Sequence, residues 1–126
     1  MPTFIENLHL RLLLAASMPL MRRAESRSER FRAMLHEESF VFQIRTRDGA
    51  GGYYELRDGT LRLRRGIHAR PDLTQHWERS RDAVKVMLSR DETEMLRAVE
   101  AGACRLQGRF AVALWFNEAM KIARPH

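Results

Sequence analysis

Seven consecutive apolar residues, Phe110-Ala111-Val112-Ala113-Leu114-Trp115-Phe116, constrain this chain more than any other feature. They open the helix that the pattern predicts from Arg109 onward, directly after a short segment bounded by Gly102 and Gly108. At about 100° per residue their side chains point all round the first two turns, so that part of the helix has no polar face. Three arrangements satisfy such a helix: deep burial, docking on a partner or a membrane, or walling a cavity that holds something apolar.

A chain of 126 residues is the size of one domain, and an apolar fraction of 44% with 30% charged residues is that of a globular protein with a real core. No run approaches the roughly 18 to 20 apolar residues of a membrane span. The best candidate, Leu12 to Met21, is interrupted by Ser17 and Pro19. Glu6 precedes it and Arg22 and Arg23 follow, the reverse of a secretory signal, so an ordinary N-terminal helix is expected. Cys104 is the only cysteine, which excludes an internal disulfide and a structural metal site built on several thiolates. The expected compartment is the cytoplasm, with peripheral contact to the inner membrane as an option. The net charge of +6, carried almost wholly by arginine, suits anionic partners and equally reflects coding composition.

Along the chain, Phe4, Ile5, Leu8 and Leu12 recur at helical spacing and predict a one-sided helix that Pro19 ends or kinks. A second helix is expected from Ser26, whose spacing to Glu29 is that of a capping box, burying Phe31, Met34 and Leu35. From Ser39 the period switches to two. Phe40, Phe42, Ile44 and Thr46 alternate with Val41, Gln43, Arg45 and Arg47, the pattern of a half-buried strand. Asp48 to Gly52 reads as a turn, Tyr53 to Arg57 as a second strand, Asp58-Gly59 as a tight hairpin, and Leu61 and Leu63 as the apolar side of a third strand. Residues 39–70 hold seven arginines against three carboxylates, and Arg45, Arg47, Arg57, Arg62 and Arg64 fall opposite the apolar side chains. A fourth strand is expected over Asp72 to Glu78. A helix capped by Ser80 follows, with Ala83, Val84, Met87 and Leu88 inward, and then another started by Asp91 and Glu94 that buries Met95, Leu96 and Val99 and stops at Gly102. Ala103 to Gln107 completes the strands. Hairpins followed by helices indicate an α+β fold.

Two motifs carry a resemblance. Pro71, Asp72 and Thr74 before a helix, then Gly102, Leu106 and Gly108 before an apolar one, together with the order of elements from Ser39, resemble the sterol carrier protein 2 superfamily. The resemblance spans residues 39–123 and implies a domain over 39–126 preceded by helices over 1–38. It implies a five-stranded, mostly antiparallel sheet whose helices enclose an apolar tunnel for acyl chains, sterols or other lipids, without catalysis. The expected tunnel residues are Phe40, Phe42, Leu56, Leu61, Trp77, Val84, Met87, Leu88, Met95, Leu96, Phe110, Leu114, Trp115 and Met120. Arg45, Arg47, Arg62, Arg64 and Arg109 are the expected contacts to an anionic head group or membrane. Arg109 stands where the family often has aspartate, and at a helix N-terminus it is expected to face solvent, pair with an acid or meet a lipid carboxylate. The helices over 1–38 also resemble those of bacterial accessory proteins of ubiquinone biosynthesis.

Catalytic patterns are weak. His68 and His76 flank Pro71, and His9, His36 and His126 are scattered, with no i, i+4 pair or carboxylate company. Gly49 to Gly52 lacks a phosphate-loop or dinucleotide fingerprint. No enzyme, metal or cofactor is therefore expected. Two classes of function stand: a lipid carrier or accessory factor, and a protein-interaction or homodimerisation module without ligand. Nucleic acid is disfavoured, because only Tyr53 and Tyr54 offer stacking faces near the arginines.

Overall fold

A computed structural model describes the backbone of residues 2–124 and the side chains of residues 4–124; His126 lies outside the described residues. The helices are α1 (Pro2–Arg27), α2 (Glu29–Glu37), α3 (Ser80–Leu88), α4 (Thr93–Glu100) and α5 (Phe110–Ala123). The strands are β1 (Phe40–Thr46), β2 (Gly51–Arg57), β3 (Thr60–Arg65), β4 (Leu73–Trp77) and β5 (Cys104–Gly108). They form one sheet in the order β3-β2-β1-β4-β5, antiparallel except for the parallel pair β1 and β4. The fold is the α+β arrangement expected, with all helices after the sheet's own hairpins or before them.

Period-two patterning sets the two faces. Phe40, Phe42 and Ile44 of β1 stand in register with Leu56, Tyr54 and Gly52 of β2, and this inner face is covered by helices. The outer face is partly covered as well. The segment joining β3 to β4 crosses it: His68 N–H donates to Gln43 Oε1 at 2.7 Å, and the Tyr53 and His68 rings meet edge-on with centroids 5.1 Å apart. Val41 and Gln43 are therefore buried, so β1 is enclosed on both faces rather than half-exposed. At the β2–β3 hairpin, Asp58 and Gly59 adopt φ of 52° and 77°, the two positive values that a tight primed turn requires.

α1 departs furthest from expectation. It runs unbroken through Pro19. Proline removes the bond to the Ala15 carbonyl, but Pro19 and Ala15 both lie on the exposed side, where that carbonyl is open to solvent. The side of α1 that packs on the sheet is Leu10, Leu14, Ser17, Met18, Met21 and Ala24. Phe4, Ile5, Leu8 and Leu12 lie on the other side, exposed by 67, 64, 44 and 60%. α2 is capped by Ser28, whose Oγ accepts from Phe31 N–H at 3.0 Å; Ser26 instead donates to the Arg23 carbonyl within α1. Ser80 is the first residue of α3, not its cap, and its hydroxyl donates to Asn7 Oδ1, tying α3 to α1. α4 fully buries no residue: Met95 is half-buried while Leu96 and Val99 are exposed. Its start is held by Asp91, whose Oδ1 accepts from Thr93 N–H at 2.9 Å, and its end by Gly102 at φ 80°.

Candidate functional site

Beneath the helices, the inner face is filled by rings. Phe40 meets Trp115 edge-on at 4.9 Å, Phe42 meets Phe116 at 4.9 Å, and Tyr54 lies 4.6 Å from Phe116. Trp115 Nε1 donates to the Met34 carbonyl at 3.0 Å and fastens α5 to α2. The Tyr54 hydroxyl and Ser17 Oγ are 2.6 Å apart, with Ser17 also donating to the Leu14 carbonyl. Burial pushes the Tyr54 phenol up to about 12, and the Ser17 hydrogen bond offsets only part of that rise. Desolvation likewise pushes the Cys104 thiol up to about 12, so it is neutral at physiological pH.

The expected tunnel residues separate into three groups. Phe40, Phe42, Leu56, Trp77, Val84 and Trp115 are buried in the core. Leu61, Met87, Met95 and Met120 are half-buried and pack against it. Leu88, Leu96, Phe110 and Leu114 are each 59% exposed and line no interior space. For Phe110 and Leu114 the reason lies in α5 itself: Val112, Trp115, Ala119 and Ala123 recur at helical spacing and take the inward face, which leaves those two pointing outward. An all-round apolar turn is thus half core and half surface here.

A cavity of about 660 Å³ opens between α1, α2 and β3. Met18, Met21, Phe31, Leu35, Leu61 and Leu63 form its apolar floor, and Arg22, Arg62 and Arg64 stand on its rim with Glu25. That volume lies within the roughly 300–1,000 Å³ of small-molecule sites. Of the expected residues, this cavity brings together Leu61, Arg62 and Arg64. Met18 and Met21 were not singled out in the sequence, and Leu63 was read only as the apolar side of a strand. Arg64 also lies 3.6 Å from Glu55, and Arg109 is drawn off to Glu38 at 2.8 Å, which offsets a cation at the start of α5. Arg47 meets Glu78 at 3.4 Å, and Arg45 lies on the outer face of β1.

The motif residues are structural. Asp72 joins three elements: its Oδ2 accepts from Val41 N–H at 2.7 Å, its own N–H donates to the Val41 carbonyl at 2.9 Å, and its carbonyl accepts from Arg109 N–H at 2.7 Å. Gly108 presses on the same carbonyl, where an added Cβ would come to 2.2 Å. Thr74 is buried and its Oγ1 accepts from Gln43 at 3.4 Å. Among the described residues, no helix is long and apolar enough to cross a membrane, and no group of three His, Cys, Asp or Glu is placed to hold a metal ion.

This arrangement of sheet, crossover and covering helices is the sterol carrier protein 2 fold. The ubiquinone synthesis protein UbiJ-SCP2 superposes with a TM-score of 0.66 at 16% identity, covering 90% of this chain and 97% of that one. Sterol carrier protein domain 2 of Helicoverpa armigera gives 0.59 at 18% identity, covering 89% of each chain. The sec-alkylsulfatase Pisa1 from a Pseudomonas species gives 0.52 at 16% identity over 76% of this chain and 15% of its own, so the fold also occurs as a small part of an enzyme. No protein-family model matches the sequence, and no curated protein matches it.

Proposed function

We propose that the protein binds an anionic, single-chain lipid, without catalysis, as a carrier or accessory factor, and that the cavity between α1, α2 and β3 is the binding site. The observation that carries this reading is the pairing of an apolar floor from Met18, Met21, Phe31, Leu35, Leu61 and Leu63 with a rim of Arg22, Arg62 and Arg64. Burial of an acyl or isoprenoid chain contributes about 25 cal/mol per Å², methionines conform to an irregular chain, and a guanidinium on the rim meets a carboxylate or phosphate at the open end. The likeness in fold to a sterol carrier protein domain and to a ubiquinone synthesis protein supports a lipid ligand in the broader sense.

The exposed face of α1 supports a delivery surface. Phe4, Ile5, Leu8 and Leu12 form an apolar stripe, and exposed Arg11, Arg22 and Arg23 flank or continue it. Such a helix lies in the plane of an anionic membrane with its apolar face in the interfacial layer. Ala15 and Arg22 belong to α1 and also line the cavity, so the site opens beside that surface. The competing reading, a homodimer sealed along α1, draws on the same stripe.

Uptake of a fluorescent fatty acid by the purified protein, with native mass spectrometry of what co-purifies, tests the site. Leu63→Arg, in a half-buried strand position, is expected to lower uptake at least tenfold, whereas exposed Leu114→Arg leaves it unchanged. The opposite order would sink the assignment to this cavity and place the lipid against α5. Absence of uptake by the wild-type protein would remove the carrier reading altogether.

A further inference from the structure

A second cleft, of about 700 Å³, lies at the other end of the sheet and has a different chemistry. Its wall includes Arg45, His76 and Arg105, which the strand register places side by side: Arg45 of β1 opposite His76 of β4, and His76 opposite Arg105 of β5. Adjacent strands are about 4.8 Å apart, so the two arginines leave the sheet about 10 Å from each other, both close enough to the imidazole between them for their charges to act on it. We propose that this row binds a phosphate group bearing two or more negative charges, of the phosphomonoester or diphosphate class, presented from solution.

Three observations converge on it. Elsewhere on the outer face Arg57 and Arg64 are offset by Glu55, and Arg47 by Glu78. Among the described residues, Arg45 and Arg105 make no ion pair and no side-chain hydrogen bond, which leaves both guanidinium groups free for a ligand. Glu78 is the one carboxylate in the cleft, and Arg47 holds it at 3.4 Å. His76 meets Gln107 Oε1 through Nε2 at 3.2 Å, which orients the ring between the two cations. Burial, then the charges of Arg105 and Arg45, hold that imidazole below its usual value, so it adds no charge of its own to the row and the two guanidinium groups supply the contacts to an incoming oxyanion. Bidentate guanidinium contacts from two sides suit a phosphate better than a monovalent carboxylate.

The row faces away from α1. The Ser17–Tyr54 contact shows that α1 rests on the inner face, whereas Arg45, His76 and Arg105 occupy the outer one. A membrane lying on α1 cannot reach it, and the inference does not rest on the lipid reading.

Isothermal titration with diphosphate is the test, using the wild-type protein, Arg105→Gln, Arg45→Gln, and Arg57→Gln as a control cation of the outer face that lines neither cavity. Saturable binding is expected, weakened about tenfold by Arg105→Gln or Arg45→Gln and unchanged by Arg57→Gln. Arg105 is exposed, so its variant keeps the fold even where half-buried Arg45 perturbs it. No saturable binding, or an equal loss in Arg57→Gln, would overturn the site and leave only diffuse attraction to a basic sheet. A parallel arm offers phosphatidic acid vesicles: capture that Arg105→Gln abolishes, without diphosphate binding in solution, overturns the soluble source and assigns the phosphate to a lipid.

Discussion

Gly108 illustrates how a motif glycine is held by its neighbours. Its φ of 121° is a region that side chains rarely adopt, and the Asp72 carbonyl occupies the place of a Cβ at 2.2 Å. Gly108→Ala is therefore expected to cost ~2 kcal/mol from strain and displacement of β4, read as a lower urea midpoint. Gly102→Ala has open space around it and carries only the strain of its φ of 80°, so its loss is expected to be smaller. Equal midpoints for the two variants would refute the close approach of the Asp72 carbonyl to Gly108. Tyr54 makes a second prediction at this scale. Its folded pKa, pushed up to about 12, exceeds the ordinary value of 10. The stability contributed by a neutral buried phenol is thus complete below pH 10 and is lost as pH rises from 10 towards 12. Thermal melts of the wild-type protein at pH 9 and 11 are expected to diverge more than those of Tyr54→Phe. The motif residues were legible as a pattern, but not their contacts, because the partners of Asp72 stand on β1 and α5, far away in the chain.

At the scale of elements, the strands and the Phe31, Met34 and Leu35 face of α2 were legible, and the faces of α1, α4 and α5 were not. Alternation identified β1 to β3 and the Asp58-Gly59 turn, since a period of two leaves little choice of face. α1 has apolar residues on opposite sides, with Leu10, Leu14 and Met21 on one and Ile5, Leu8 and Leu12 on the other. Spacing finds both stripes, and only the sheet decides which is buried. α4 and α5 misled in a similar way, because Leu96, Val99, Phe110 and Leu114 have helical spacing yet remain exposed. The exposed stripe of α1 leads to a test of its own. Leu8→Asp with Leu12→Asp is expected to abolish flotation with anionic vesicles while leaving the melting temperature near wild type, since both residues already face water. If the wild-type protein is instead a dimer by light scattering and the double variant a monomer, the stripe is a subunit interface.

The molecule as a whole is two-sided. Helices and an apolar-floored cavity occupy one side of the sheet, and a crossover segment and a cationic row occupy the other. Fold class and strand number followed from hairpins succeeded by helices, and the likeness to sterol carrier protein 2 was carried by spacing alone at an overall identity near 16%. The cavity was not legible, because Met18 and Met21 of α1, Phe31 and Leu35 of α2, and Leu63 of β3 meet only in space. Neither was the cationic row, whose register depends on a parallel pairing of β1 with β4 that no local pattern announces.

The bond from Trp115 to the Met34 carbonyl spans 81 positions of the chain. It has a consequence for the order of folding during synthesis. α1 and α2 emerge first, yet their apolar faces close only on a sheet completed by β5 and on α5 behind it. A nascent chain therefore carries two greasy helices without a core until α5 has been made, and its assembly waits on long-range contacts that form slowly.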